Sequence, residues 1–518
     1  MGYLGTVWVA LGVLLISKIW NLFNVLVWRP YAIRKWFAKQ GISGPPYSFI
    51  SGSLHEMKTL RMQASNTVLD THSHDIIPRI LPHHHKWASQ YGEVFLYWQG
   101  TEPRLFMVEP EIAKDLFSNK TGFYVKQKMS PSIMALFGKG LVLSDGSDWQ
   151  RHRKVVSPAF NLDKLKGMAK RMAVCTQSMV DGWKDQVLQA NGQSKEIQIN
   201  REFQALAADI IASTAFSASY SVGKEIFEAE KELFQRAAMI DFVIPGSQYL
   251  PTRWNLDTWK LEKKLRNRLK SIIEERLNSK DRNGSDSGYG DDLLGIMLGI
   301  SESSKKHEDL KLSMDEIMDE CKTFFFAGHE TTANLLTWTM YLLSLYKEWQ
   351  EKLREEVMKE CGMEIPDADN LNKLKLVNLF LLEVLRLYCP VIELYRTTTK
   401  DTKLGDLMIP KNTTVAIPMV MIHRNKKYWG KDADEFNPMR FADGVARAAT
   451  HPNAFLAFST GPRACIGQNF TMLEAKTAVA MILQRFSLSL SPEYKHAPMN
   501  ELTLQPQFGL PIILSMAR

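Results

Sequence analysis

Between Ser313 and Tyr346 the chain carries an apolar stripe long enough to cross a whole domain. Ser313-Met314-Asp315-Glu316 is a capping box, in which serine and glutamate each satisfy an amide that the first turn leaves open. Behind it Ile317, Cys321, Phe324, Gly328, Thr331, Leu335, Trp338, Leu342 and Leu345 recur with heptad spacing along one face. At about 1.5 Å per residue this predicts a helix roughly 50 Å long. Set into the stripe is Ala327-Gly328-His329-Glu330-Thr331-Thr332. A glycine there costs about 1 kcal/mol relative to alanine, and a threonine hydroxyl can bond back to a carbonyl, so a local loosening of the helix is expected. Alone, the motif reads equally as a packed helix with a polar kink.

A second motif, Phe458-Ser459-Thr460-Gly461-Pro462-Arg463-Ala464-Cys465-Ile466-Gly467, lies near the C-terminus. Cys465 stands just before a helical pattern through Met472, Ala475, Val479, Ile482 and Leu483. The open amides and dipole of that helix start favour a thiolate. Gly461 and Gly467 permit positive φ and leave room for a porphyrin face, and Arg463 offers a fork suited to a propionate. A lone cysteine in a Gly-rich turn would read as structural. With Phe458, Gly461, Arg463 and Gly467 in register, the segment reads as a loop offering one thiolate to haem iron, a ligation that favours O–O cleavage.

This segment resembles the haem-binding loop of the cytochrome P450 haem-thiolate monooxygenases. The resemblance covers the chain from Pro45 onward and implies a P450 fold, with Cys465 as the metal ligand of haem b. Ala327 to Thr332 is similar to the family's oxygen-activating sequence, so Glu330 and Thr331 are the implied catalytic pair, a proton route to bound oxygen. Trp149 and Arg153, four apart on a helix predicted to begin near Ser147, match residues that reach the haem propionates; Arg396 matches a third. With Phe458, Arg463 and Gly467 these complete the implied cofactor-binding set. Glu383 and Arg386 resemble the family's buried ion pair, and Arg440, within Phe436-Asn437-Pro438-Met439-Arg440-Phe441, its downstream arginine; the network's role is structural. Met439 stands where the family often has Glu, and Cys389 where it often has Pro. The phrasing of Cys465 to Phe470 and Trp98 to Arg104 resembles the plant clan that includes fatty-acid, cytokinin, brassinosteroid and gibberellin hydroxylases. Gly41 to Pro46 and His74 to Arg79 resemble a branch with in-chain fatty-acid hydroxylases.

The rest of the chain fits this picture. An apolar run from Tyr3 to Ile16, interrupted by Lys18 and resumed from Ile19 to Trp28, precedes Arg29, Arg34, Lys35 and Lys39. Charges after the run place the bulk of the chain in the cytosol. The two stretches approach the roughly 20 apolar residues that span hydrocarbon, with an interfacial helix as the alternative. The expected division is residues 1–28 as membrane anchor, 29–46 as a basic and Pro/Gly hinge, and 47–518 as the haem domain. Five cysteines without CxxC pairs fit a reducing compartment. The net charge of +8 comes without nucleic-acid motifs, so a membrane surface and an acidic protein partner are expected instead of nucleic acid.

Helical periodicity dominates over Lys164 to Trp183, Leu256 to Leu277, Ser313 to Tyr346 and Leu374 to Leu387. Strand-like runs occur at Val94 to Trp98, Leu105 to Val108 and Thr413 to Ile417, giving a mainly α chain with a minor β-sheet behind an anchor helix. Asn278 to Asp292 and Ser301 to Glu308 read as solvent loops, and His83-His84-His85 as surface.

The resemblance implies insertion of one oxygen atom from O2 into a lipophilic small molecule, with in-chain hydroxylation of a fatty acid as the first reading. A plant hormone or terpenoid is the alternative substrate. A reductase-independent haem-thiolate isomerase or dehydratase, and a non-catalytic haem-binding protein, are rivals that Glu330-Thr331 argues against. No GxGxxG or P-loop occurs, so electrons must come from NADPH through a separate flavoprotein reductase. The implied location is the endoplasmic reticulum membrane, with the catalytic part facing the cytosol. By resemblance the substrate pocket is largely apolar and takes parts of Gly122 to Phe137, Phe324 to Ala327, Val391 to Tyr395 and Gln507 to Gly509.

Overall fold

The computed structural model describes residues 2–190, 194–218, 220–238, 249–283, 288–302 and 308–517. The chain divides into two compact units, the first comprising Met1–Thr67, Ile77–Gln127 and Glu393–Pro418, the second the remainder.

The first unit begins with the helix Gly2–Phe23, a π-type turn Asn24–Trp28 and the helix Arg29–Ala38. Thr6–Ala38 is apolar enough to cross a membrane, and Trp8, Leu15, Ile16 and Trp20 lie open on it, as suits a lipid-facing surface. Its basic end is held down: Arg29 donates to the Asn412 carbonyl at 3.0 Å and Trp36 to that of Met408 at 2.7 Å. The Pro/Gly stretch that follows is docked, because Leu96 N–H donates to the Ser43 carbonyl at 2.9 Å. A Cβ on Gly44 would fall 1.9 Å from the Leu96 oxygen.

Five strands make the main sheet of this unit. Val94–Gln99 pairs antiparallel with Glu102–Met107, which pairs parallel with Thr414–Ile417; Leu394–Thr398 and Tyr124–Val125 complete it. Phe95 and Phe106 stack at 4.3 Å across the first pair. The helix Pro82–Tyr91 lies on this sheet and corrects the surface reading of the histidine tract. His83 and His84 are buried with Trp87, and only His85 faces solvent. His84 Nδ1 sits 2.8 Å from a Glu393 oxygen, and the Tyr395 hydroxyl donates to the same carboxylate at 2.7 Å. Burial of Glu393 is outweighed by the His84 contact, which holds its carboxyl below the ordinary range.

The second unit is built on the helix Met314–Leu345. Its Ser313 cap forms both bonds of the capping box, with the Glu316 amide donating to the serine oxygen at 3.2 Å and the Ser313 amide to the glutamate at 2.8 Å. The helix Ile199–Phe216 packs along it, while Leu162–Gln189 packs on Gln468–Leu483. Lys375–Leu387 occurs where the periodicity placed it, and Gly146–Val156 begins beside Ser147 as expected for Trp149 and Arg153. Leu162–Gln189 and Arg253–Asn283 extend beyond the predicted runs.

Two expectations are corrected here. The central helix runs unbroken through 327–332, because Gly328 serves close packing instead of a kink: a Cβ there would fall 2.8 Å from Ile211 Cδ1. The stretch Asn278 to Asp292 is not all loop. The helix continues to Asn283, and Asp292 is buried in a two-contact pair with Arg276, both at 2.9 Å, while accepting the Gly295 amide at 2.8 Å. Residues 284–287, and 303–307 of the second expected loop, lie outside the described residues.

Candidate active site

The cysteine loop is set by its own turns. Ser459 and Gly461 take φ of +60° and +76°, the Cys465 amide donates to the Phe458 carbonyl at 2.9 Å, and Ala464 to Gly461 at 3.0 Å. Gly467 caps the helix Gln468–Leu483 with φ of −85°, so the expected positive φ is confined to Gly461. What Gly467 supplies is openness, since a Cβ there would stand 3.9 Å from Cys465 Sγ. Cys465 is an exposed residue of this loop. The protein packed around the rest of it pushes the thiol up, while the Gly467 amide and the Arg153 charge pull it toward thiolate.

Arg153 donates to the Ala464 carbonyl at 3.3 Å, and Arg463 lies over the Trp149 ring at 4.6 Å. Arg463 also binds the Asp145 carboxylate at 2.7 Å and the Ser144 carbonyl at 2.6 Å. Trp149, Arg153, Arg463, Cys465 and Gly467 thus meet around one loop. Asp145 and Ser144, remote in sequence from Arg463, were not singled out by the motif. Arg396 belongs to the sheet of the first unit, where it is buried over Phe117 at 5.2 Å and donates to the Tyr395 carbonyl at 2.8 Å.

Glu383 and Arg386 are fully buried and joined by two 2.7 Å contacts; Arg440 approaches Glu383 at 3.5 Å and binds Asp432 at 2.6 Å. Met439 is half exposed and takes no part, while the Asn437 amide donates to Glu383 at 2.9 Å. Cys389 is buried, its thiol donating to the Val391 carbonyl at 3.1 Å. The network reaches the cysteine loop through His423. Arg386 donates to the His423 carbonyl at 2.9 Å, and His423 Nε2 accepts the Leu456 amide at 2.8 Å. Burial and the Arg386 charge push His423 down to about 3, which keeps it neutral and an acceptor. The Ser459 amide then donates to the Leu456 carbonyl at 2.8 Å.

From Glu320 to Ser344 every residue of the central helix is buried except Ala327, Gly328 and Thr331. These three share one face, so the partly accessible patch of the helix consists of small groups. Thr331 bonds back to the Ala327 carbonyl at 2.8 Å, as expected. Glu330 is held by two groups the motif did not name: Asn334 donates to its Oε1 at 2.8 Å and Thr503 at 2.7 Å. Asn334, one turn on, was legible on that face; Thr503 comes from a distant hairpin, Pro498–Glu501 and Thr503–Pro506. Beside Glu330 opens a cleft of about 540 Å³ whose wall includes Phe326 and Gln507 to Gly509, from two of the four stretches expected to line the substrate pocket; it is rich in amides and charges.

An exposed cysteine preceding a helix start, two arginines beside it and a helix face of small residues suit a flat, anionic, iron-bearing group such as haem. Comparison with known proteins points the same way. Residues 75–513 match the family model described as cytochrome P450. The chain is 52% identical over 504 residues to cytochrome P450 709B1 of Arabidopsis thaliana, covering 96% of each. It is 41% identical to cytochrome P450 734A1 of the same plant, covering 98% and 97%, and 40% identical to secologanin synthase 1 of Catharanthus roseus, covering 96% and 95%. The crystal structure of a cytochrome P450DA heme domain superposes with a TM-score of 0.72 at 25% identity, covering 83% of this chain and 91% of that one.

Proposed function

Because the chain belongs to the cytochrome P450 family and is a P450 monooxygenase, we propose that Cys465 is its haem ligand and that it hydroxylates a lipophilic small molecule. The observation that carries this reading is Cys465, exposed ahead of the helix Gln468–Leu483, with Trp149, Arg153 and Arg463 gathered on its loop. When bound, haem supplies oxygen activation. The chain's part is to hold a thiolate, exclude water and deliver protons. Glu383, Arg386 and Arg440 fix the scaffold behind the loop through His423, while Trp149, Arg153, Arg396, Phe458, Arg463 and Gly467 seat the cofactor. Thr331 gives up its bond to Ala327 and donates its proton from the partly accessible face of the helix; Glu330, aimed by Asn334 and Thr503, restores it.

Electrons come from NADPH through a separate flavoprotein reductase, and residues 1–28 anchor the enzyme in the endoplasmic reticulum membrane with its catalytic part in the cytosol. The substrate reading carried by the sequence phrasing is in-chain hydroxylation of a fatty acid. A terpenoid or plant hormone is the second reading, and a relative named secologanin synthase 1 keeps substrates other than fatty acids in view. Reduced carbon-monoxide spectra test the ligand: wild type should give the red-shifted Soret band of a thiolate, and Cys465→Ser should abolish it. Reductase-dependent O2 uptake excludes the isomerase and binding-protein rivals, and a spectral binding screen of fatty acids, terpenoids and hormones selects the substrate.

A further inference from the structure

We propose that Glu230 and His329 form a proton-loading pair for Glu330, fed from solvent through the cleft that all three line. This rests on the reading of Glu330 and Thr331 as proton donors to bound oxygen. Glu230, on the helix Tyr220–Ala238, is fully buried, and among the described residues neither carboxyl oxygen has a hydrogen-bond partner. His329 Nδ1 stands 3.7 Å from one of its oxygens. That nitrogen donates to the Phe325 carbonyl at 2.6 Å, which leaves Nε2 with its lone pair, 4.0 Å from Glu330 Oε2. Phe227 and Phe326 stand edge-on to the imidazole at 5.1 and 5.8 Å and pin it in place. Nothing apolar in this wall needs an acid, and a buried carboxyl without partners costs stability.

The charges around the pair set its resting state. Burial pushes Glu230 well above the ordinary range, with Lys322 pulling weakly the other way. Burial also lowers His329, against the charge of Glu330. From the hairpin Glu501, raised by burial and by Glu330, faces the same cleft, and Arg201 and Lys231 stand exposed at its rim. Both directions favour the uncharged forms, the acid for Glu230 and the imidazole for His329.

One proton then moves in three steps with no change in electrons. Once Glu330 has given up its proton, its charge raises His329, which takes a proton at Nε2 from Glu230 through cleft water and leaves the Glu230 carboxylate 3.7 Å behind Nδ1 as counter-ion. The imidazolium passes the Nε2 proton to the Glu330 carboxylate. Solvent entering past Gln204 and Gln235 reprotonates Glu230.

The test uses the full-length enzyme with its reductase and a substrate from the spectral screen. Glu230→Gln should keep haem content and substrate binding, lower product per NADPH several-fold and raise the solvent deuterium isotope effect on product formation. Glu230→Asp should recover part of both. Independently of turnover, the infrared carbonyl band of a protonated buried carboxyl should be present in wild type and lost in Glu230→Gln. Glu230→Leu should melt at or above the wild-type temperature. Absence of that band, or a lower melting temperature in Glu230→Leu, overturns the proposal in favour of a structural acid. Unchanged coupling in Glu230→Gln where Thr331→Ala uncouples overturns the pair and leaves the Glu330-Thr331 reading standing. Intact coupling in both Thr331→Ala and Glu330→Gln removes that reading and the pair with it. A change in substrate affinity alone in Glu230→Gln overturns the proposal and assigns the cleft to substrate recognition.

Discussion

Arg386 grips Glu383 through two parallel contacts of 2.7 Å, both side chains sealed from solvent, and spends its remaining donors on the carbonyls of His423, Ala433 and Glu435. A planar fork makes all of these bonds at once; an ammonium cannot. Breaking such a buried pair costs about 3–5 kcal/mol. Arg386→Lys should therefore unfold at markedly lower urea and retain little haem, whereas Lys426→Ala, at an exposed pair with Asp434, should shift stability by less than about 1 kcal/mol. Equal urea midpoints for Arg386→Lys and wild type would remove the network from the stability argument.

His423 carries that rigidity to the cysteine loop by accepting the Leu456 amide at 2.8 Å. His423→Ala strands a buried donor, which costs about 1–3 kcal/mol. More specifically, the loop should lose its fixed approach, so reduced carbon-monoxide spectra should show a mixture of thiolate and thiol bands. His423→Gln places a carbonyl oxygen in reach of the same amide and should restore much of the thiolate band. A pure thiolate spectrum in His423→Ala would mean that the loop's own turns suffice.

The acid stability of the packing between Gly146–Val156 and the central helix follows from Glu316. Its bond to Arg151 outweighs burial and holds the carboxyl down at about 2, against an ordinary value of 4.5. A depressed carboxyl stabilises above its unfolded value, so this contribution is complete above about pH 4.5 and fades as pH falls toward about 2. His152 runs oppositely. Burial would lower it, but the bond and charge of Glu320 prevail and raise it above 6.5, so its contribution is complete below that value and lost as pH climbs through the raised one. Melting temperature against pH should thus show an acid limb that Glu316→Gln flattens and an alkaline limb that His152→Gln flattens.

What could be read in the chain was what local spacing encodes. The capping box, the heptad stripe and the turn from Glu383 to Arg386 are properties of contiguous residues, and they occur as read. The burial of His84 is not visible in the tract itself, because its partner Glu393 lies just before a strand far along the chain. Asp292 looked like loop for the same reason: Arg276 and the amide of Gly295 turn a polar stretch into a buried pin. Gly328 was read as a helix defect, since the sequence shows the missing side chain but not Ile211, whose approach requires it. Glu230 carried no signal at all, being one acid among many on an amphipathic helix whose orientation only packing decides.

Oxygen activation gives the last prediction. Thr331 donates to the Ala327 carbonyl at 2.8 Å and is half-buried among buried neighbours, so its hydroxyl is free to swing without breaking the backbone ladder. Thr331→Ala removes a side-chain bond and no main-chain one; fold, haem content and substrate binding should persist. What should fail is proton delivery after reduction, so NADPH consumption continues while peroxide replaces product. General acid catalysis contributes about 10²–10⁴-fold, enough for leakage to overtake hydroxylation. Asn334→Leu should produce a milder form of the same defect, because Glu330 keeps its 2.7 Å bond from Thr503 but loses the 2.8 Å bond from Asn334. The measurement is product formed per NADPH oxidised across wild type, Asn334→Leu and Thr331→Ala, which should fall in that order. An undiminished ratio in Thr331→Ala would reduce the hydroxyl to a helix-packing group and send the protons by another route.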